Sequence, residues 1–132
     1  MQADAGGRSA SSEALPKEKR LAKRREFLRV YEAGRKLFSR YSVLFYAANG
    51  LGYSRVGITA TRKSGKANVR NKLKRWTREV YRQQREPLGL DSRALDVVVN
   101  VKPNAADAAW AEYSVDLQRA LRRVVTESGA SR

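Results

Sequence analysis

Between Arg62 and Arg85 the chain carries ten basic residues (Arg62, Lys63, Lys66, Arg70, Lys72, Lys74, Arg75, Arg78, Arg82 and Arg85) and a single acid, Glu79. At the 3.6-residue period of a helix, Val69, Leu73, Trp76 and Val80 fall on one narrow stripe, and Arg70, Lys74, Arg75, Arg78 and Arg82 fan out along the adjoining one. The first stripe suits a core and the second suits an anionic partner. A solvated basic face is the plain alternative, but solvated helices usually mix signs to gain i,i+4 pairs, whereas this segment mostly repels itself. Arginine forks and planes also match phosphates and stacked bases better than lysine does. A second set lies upstream, where Phe27 and Tyr31 stand one turn apart among Arg20, Lys23, Arg24, Arg25 and Arg29. Rings interleaved with positive charge are what single-stranded nucleic acid needs: surfaces to stack on and a field that follows the backbone. The same two rings would equally serve to dock a helix on a sheet. Tyr41, Phe45 and Tyr46 carry the same two readings, because alternation turns only one face of a strand toward any given partner.

The whole composition agrees with an anionic partner. Lys and Arg number 28 against 13 Asp and Glu, a formal charge of +15 on 132 residues. Self-repulsion on that scale is relieved by a polyanion whose counterions are released on binding, and nucleic acid is the default. With no Cys and no His, disulfides, thiolate metal sites and the usual zinc sites are excluded. A nuclease site of the protein's own would need clustered carboxylates or a histidine base. The acids are instead scattered: Asp91 and Asp96 flank the start of a strand with no partner in view, and Glu26, Glu32 and Glu112 read as helix-surface charges. No catalytic residue and no protein-held metal is therefore expected. No apolar run reaches the roughly 20 residues of a spanning helix, and the first 15 residues lack the apolar stretch of a signal peptide, so a cytoplasmic protein without a membrane partner is expected.

The elements that must position these groups follow from pattern. Residues 1–15 and 127–132 have almost nothing to bury and are expected to be disordered tails around one domain over 16–126. Helical spacing predicts a first helix over Lys17–Ala33, ended by Gly34. A short strand over Arg35–Ser39 and a strand over Tyr41–Ala48 lead to the turn Asn49-Gly50-Leu51-Gly52, after which Ser54–Thr61 is expected as the hairpin partner. Arg62–Ala67 reads as a basic loop, with Asn68 as N-cap of a helix from Val69 to about Arg85. Ala94–Val101, with Val97-Val98-Val99 at its middle, reads as a buried strand. A last helix, about Ala106–Val125, has Trp110, Leu117, Leu121 and Val124 as its core stripe. That order gives an α+β fold, a sandwich of one four-stranded sheet and three helices. A DNA reader would want a helix-turn-helix pair, whereas the basic helix here follows a strand and a loop, so DNA is not the expected partner. A ribosomal or other structural RNA-binding protein would share the charge and the aromatics.

Three segments in order, Arg55-Val56-Gly57-Ile58, Lys63-Ser64-Gly65-Lys66-Ala67 and Arg70-Asn71-Lys72-Leu73-Lys74-Arg75-Trp76-Thr77-Arg78-Glu79-Val80-Tyr81-Arg82, resemble the signature region of the bacterial ribonuclease P protein subunit. Upstream, Arg20-Leu21, Arg25-Glu26-Phe27, Val30-Tyr31 and Gly34 resemble that family's first helix, and Lys102-Pro103 follows the last strand in the matching place. The likeness runs from about Pro16 to Val125. It implies a two-layer α/β sandwich with a mixed sheet and a left-handed β-α-β crossover, against the general right-handed rule. It also implies a non-catalytic subunit of a ribonucleoprotein endonuclease, whose RNA removes the 5′ leader of precursor tRNA. Arg70, Asn71, Lys72, Lys74, Arg75, Arg78 and Arg82 would then dock on the catalytic RNA, while Phe27, Tyr31, Phe45 and Lys63 would hold the single-stranded leader. Mg²⁺ would be held mainly by RNA, and the partners would be ribonuclease P RNA and precursor tRNA. The family's usual Arg-Asn-Arg triplet has Lys72 as its third member here, which keeps the charge and loses the planar fork.

Overall fold

A computed structural model describes residues 15–130. Four strands, β1 (Arg35–Phe38), β2 (Ser42–Ala48), β3 (Arg55–Thr59) and β4 (Leu95–Val101), form one mixed sheet in the order β1-β2-β4-β3. Three long helices, α1 (Arg24–Ala33), α2 (Ala67–Arg85) and α4 (Trp110–Ala130), pack on it, and a single turn, α3 (Leu90–Arg93), precedes β4. The fold is α+β, as the pattern of elements predicts.

The strand order corrects the expected hairpin. β3 does not pair with β2; β4 lies between them, antiparallel to β2 and parallel to β3. The reason lies in β4 itself. Leu95 to Val99 are all buried, so this strand needs cover on both faces and neighbours on both edges, which only a central position supplies. The connection β3-α2-β4 is therefore a β-α-β unit between adjacent parallel strands.

One face of the sheet carries the main core. Leu44 and Tyr46 of β2, Val56 of β3, and Val97, Val99 and Val101 of β4 meet Leu73, Val80 and Tyr81 of α2 and Tyr113, Leu117, Leu121 and Val124 of α4. Thr77 of α2 donates to the Leu73 carbonyl at 2.7 Å and shares a short hydrogen bond with the Tyr113 hydroxyl, so both buried polar atoms are satisfied. Burial pushes the Tyr113 hydroxyl up to about 12. Trp110, expected in this stripe, is 39% exposed because α4 starts only there, at its outer rim.

Among the described residues, α1 and the stretch leading into it cover the opposite face. Its own cluster is small: Leu21, Val30 and Val98, with Phe27, Tyr31 and Phe45 partly buried at its edge. The predicted first helix is shorter than expected. Lys17–Lys19 form a single 3₁₀ turn, and Leu21 donates to the Val56 carbonyl at 2.8 Å as Arg20 bridges to β3, so this stretch runs alongside the sheet. The helix begins where Glu26 reaches back to accept from the amides of Ala22 and Lys23, both at 3.0 Å, satisfying donors that an α-helix leaves free at its start. Helix α2 starts at Ala67 with no side-chain cap from Lys66, in place of the expected capping by Asn68. At the other end of the chain, α4 runs on to Ala130, and its Glu127 accepts from the Tyr46 hydroxyl at 2.9 Å. Leu15, assigned to a tail by composition, is buried against the main core. The expected tails over residues 1–14 and 131–132 lie outside the described residues.

Candidate nucleic-acid interface

The α1 face of the sheet reads as three rows of side chains, each crossing the strands. Ala47, Asp96 and Arg55 make the first, Lys36, Phe45, Val98 and Gly57 the second, and Phe38, Val43, Asn100 and Thr59 the third. The first row fixes α1 electrostatically. Asp96, fully buried, accepts two hydrogen bonds from Arg55 at 2.9 and 2.7 Å, one from Arg29 of α1 at 2.7 Å and one from Asn49 at 2.9 Å. Arg55 also reaches Glu26 of α1 at 3.1 Å. Burial alone would push the Asp96 carboxyl up, but the donors from Arg55, Asn49 and Arg29 outweigh it and hold it below the usual carboxylate range. The same pairing raises the Arg55 guanidinium further, and the backbone amides of Lys23 and Ala22 lower Glu26. Asp96 and Glu26, which read in the sequence as unpaired or surface acids, thus form a clamp between α1 and the sheet. Asp91 is engaged as well, by Lys19 at 3.0 Å and the Ser54 amide at 3.1 Å.

The second row is apolar from Phe45 to Gly57, with Lys36 at its β1 end, and supports the aromatic groups singled out from the sequence. Phe27 rests on Gly57 so closely that a Cβ there would come within 2.6 Å of its ring, so β3 needs a glycine at this point. Tyr31 meets Phe45 edge to face with ring centres 4.8 Å apart. In the third row the Tyr31 hydroxyl donates to Asn100 Oδ1 at 2.9 Å, as does Thr59 Oγ1 at 2.7 Å. Phe27, Tyr31 and Phe45 are thus brought together, half-buried, along one trough between α1 and the sheet. They dock the helix and also show part of their surfaces to solvent, so the two readings of these rings are compatible. Lys63 is exposed on the 3₁₀ turn Arg62–Ser64, just past the end of β3, and no contact places it within the trough.

On α2 the predicted RNA-docking residues divide into two groups. Asn71, Arg75 and Arg78 are exposed, and Arg75 and Arg78 have no hydrogen bond or ion pair among the described residues. The others are partly engaged within the fold. Arg70 donates through Nε to the Gly65 carbonyl at 3.2 Å, bracing the loop ahead of the helix, where Gly65 has φ +126 and a Cβ would press on Val69. Lys72 places its ammonium 4.8 Å above the Trp76 ring, a cation–π contact. Arg82 pairs with Glu79 one turn earlier on the helix. Lys74 and Arg78 line a cavity of about 190 Å³ together with Arg20, Leu21, Phe27 and Gly57. The basic helix and the aromatic trough therefore meet at the β3 edge, which sequence spacing alone did not reveal. A second residue missed by sequence reasoning is Phe38, 60% exposed at the end of the third row; its only signal was an aromatic in a short edge strand. Among the described residues no group of three or more His, Cys, Asp or Glu is placed to hold a metal ion, and no helix is long and apolar enough to cross a membrane.

A basic α+β domain with an aromatic trough beside a cationic helix is the class these features define. The ribonuclease P family profile matches residues 15–125, and the chain belongs to that family. It is 43% identical over 88 residues to the ribonuclease P protein component of Thermotoga maritima, covering 67% of this chain and 73% of that protein. Among solved structures, the T. maritima ribonuclease P protein superposes with a TM-score of 0.71 at 35% identity, covering 79% of this chain and 96% of that one. The Staphylococcus aureus ribonuclease P protein gives 0.72 at 28% identity, covering 80% and 94%.

Proposed function

We propose that this chain is the RNA-binding protein subunit of ribonuclease P, working in the cytoplasm, where it docks on the catalytic RNA through α2 and holds the single-stranded 5′ leader of precursor tRNA in the α1 trough. The meeting of Phe27 and Gly57 with Lys74 and Arg78 around one cavity carries this reading, because it joins a stacking surface to a phosphate-binding one. Asn71, Arg75 and Arg78, exposed toward solvent, are the docking groups, with Lys72 contributing charge while committed to Trp76. Arg70 and Arg82 shape the helix surface through Gly65 and Glu79 and add to its field. Tyr31 and Phe45 continue the trough from Phe27, and Lys63 contributes field near its end. Chemistry belongs to the RNA. The buried carboxylate Asp96 is filled by arginines, so Mg²⁺ is assigned to RNA oxygens, with the protein's charge favouring the compact complex.

The test is reconstitution with a bacterial ribonuclease P RNA at low Mg²⁺, where the chain should restore precursor-tRNA cleavage. Arg75→Ala with Asn71→Ala should weaken RNA-subunit binding about tenfold and flatten its salt dependence, the lost arginine contact lowering the log–log slope by about 1. Phe27→Ala should instead reduce the preference for leader-bearing over mature tRNA. Equal losses in both assays for both variants would rule out the division into two surfaces, and no rescue of cleavage would rule out the function.

A further inference from the structure

The third row of the sheet extends past the residues already placed in the trough. It runs Thr59, Asn100, Val43, Phe38 from the β3 edge to the β1 edge, a distance of about 14 Å at the usual ~4.8 Å strand spacing. α1 covers the second row and reaches the third only through Tyr31, leaving its β1 end open. There Phe38 is 60% exposed. A single exposed Phe is ordinary on a protein surface, but this one has company. The Lys36 ammonium lies between two rings, 5.3 Å from the centre of Phe38 and 5.4 Å from that of Phe45, so the trough's last ring and the edge ring share one cation. Arg123 of α4 donates to the Phe38 carbonyl at 3.4 Å, while Arg35, on the opposite face of β1, and Arg40, over the Tyr41 ring, lie outside this group.

We infer that Phe38 and Lys36 form a separate stacking and phosphate subsite on edge strand β1, which takes a nucleotide of single-stranded RNA leaving the trough. The occupant is the part of the leader farther from the scissile bond, since the Phe27 end of the trough adjoins α2 and its docking groups. An exposed ring with a cation over it offers a base a face and its phosphate a counter-charge, and it is tolerant of base identity because every base has a π-face. This rests on the leader-binding reading of the α1 trough.

The experiment uses the reconstituted holoenzyme and precursor tRNAs whose leaders are lengthened one nucleotide at a time, with affinity measured at fixed salt. With the wild-type chain, affinity should rise with length and then level off. Phe38→Leu, which keeps apolar bulk and removes the ring, should level off earlier and bind the longest leaders about five- to tenfold more weakly, with short leaders and mature tRNA unaffected. Phe38→Tyr, which keeps the ring, should restore the wild-type profile. If Phe38→Leu matches wild type at every length, or loses equally on mature tRNA, the subsite is overturned. Phe27→Ala separates the two levels: a leader-dependent loss there with none in Phe38→Leu leaves the trough standing and removes only its extension. No leader dependence in Phe27→Ala removes both.

Discussion

The two faces of the sheet are built by different means. Under α2 and α4 the contacts are apolar and closed: Leu44, Val97 and Val99 meet Leu73, Val80, Leu117 and Leu121, each at most 1% exposed. Under α1 the apolar cluster holds three buried residues, and the helix is pinned by a buried carboxylate shared between Arg55 and Arg29. Hydrophobic burial is roughly proportional to area and has no preferred geometry, so it stabilises most when rings and chains are fully covered. An ion-pair clamp at one end of a helix fixes its direction while covering little. The α1 face therefore keeps Phe27, Tyr31 and Phe45 in place with part of their surface still available to a ligand, which a sealed interface could not do.

The largest expected effect lies on the closed face. Leu73→Ala removes a fully buried side chain at the centre of α2 and should lower stability by about 3–4 kcal/mol, the cavity adding to the lost transfer term. The loss should appear as a single shifted denaturation transition with α1 and α4 amides exchanging together. Exchange of α1 ahead of the rest would show that the closed face does not set global stability.

Removing the clamp should be smaller and local. Asp96→Ala leaves Arg55 without its bidentate partner and Arg29 without its anchor, and loss of one member of a buried pair costs about 3 kcal/mol. Hydrogen exchange should rise in α1 well before global unfolding. Acid should act in the same way on the wild type. Because Asp96 and Glu26 are held below their ordinary values in the fold, their contribution is complete above the unfolded carboxylate range near pH ~4 and is lost as pH falls through the lower folded values. α1 amides should therefore lose protection on acidification before those of α2 do, and Asp96→Ala should abolish most of that difference. If acid exposes both helices together, the clamp is not what distinguishes the faces.

The same contrast explains what was legible in the sequence. Periodicity finds a helix with a wide apolar stripe, so α2 and the Leu117, Leu121, Val124 stripe of α4 were readable. α1 is held by charges that come together only through pairing across the sheet, and Asp96 lies 41 residues from Arg55 and 67 from Arg29. No local pattern announces that contact, and Glu26, which fixes where the helix starts, follows Lys23 and not a Ser, Thr, Asp or Asn, so no capping signature marked that start. The misassigned hairpin has a similar origin. The Asn49–Gly52 turn suggested that neighbours in sequence pair in space, while the uninterrupted Val97-Val98-Val99 run, buried on both faces, was the stronger sign of a central strand that would separate them. Composition points to a polyanion as the expected partner, but not to Lys74 and Arg78 lining one cavity with Phe27, since those residues meet only through the packing of α1 and α2 about β3.

The smallest expected effect isolates the ring from the clamp. Gly57→Ala leaves Asp96, Arg55 and Arg29 untouched but places a Cβ 2.6 and 2.7 Å from two Phe27 ring carbons and 3.0 Å from Leu21 Cβ. The first two are closer than Cβ contacts come and the third is tight, and because Phe27 sits at the cluster's edge its ring can swing toward solvent. Relief of that kind of overpacking costs about 1–3 kcal/mol, and the cheaper end applies where the displaced group has somewhere to go. Stability should fall by about 1–2 kcal/mol. Exchange should increase around Phe27 and Leu21 but not at Arg29, where the clamp still holds α1 to the sheet. Leader discrimination should fall as in Phe27→Ala, because the trough loses its floor at the β3 end while α2 is unaltered and RNA-subunit docking stays at the wild-type level. A variant that frees the whole of α1 would show that the ring, and not the ion pairs, holds the helix, and the contrast between a closed apolar face and a clamped open one would have to be redrawn.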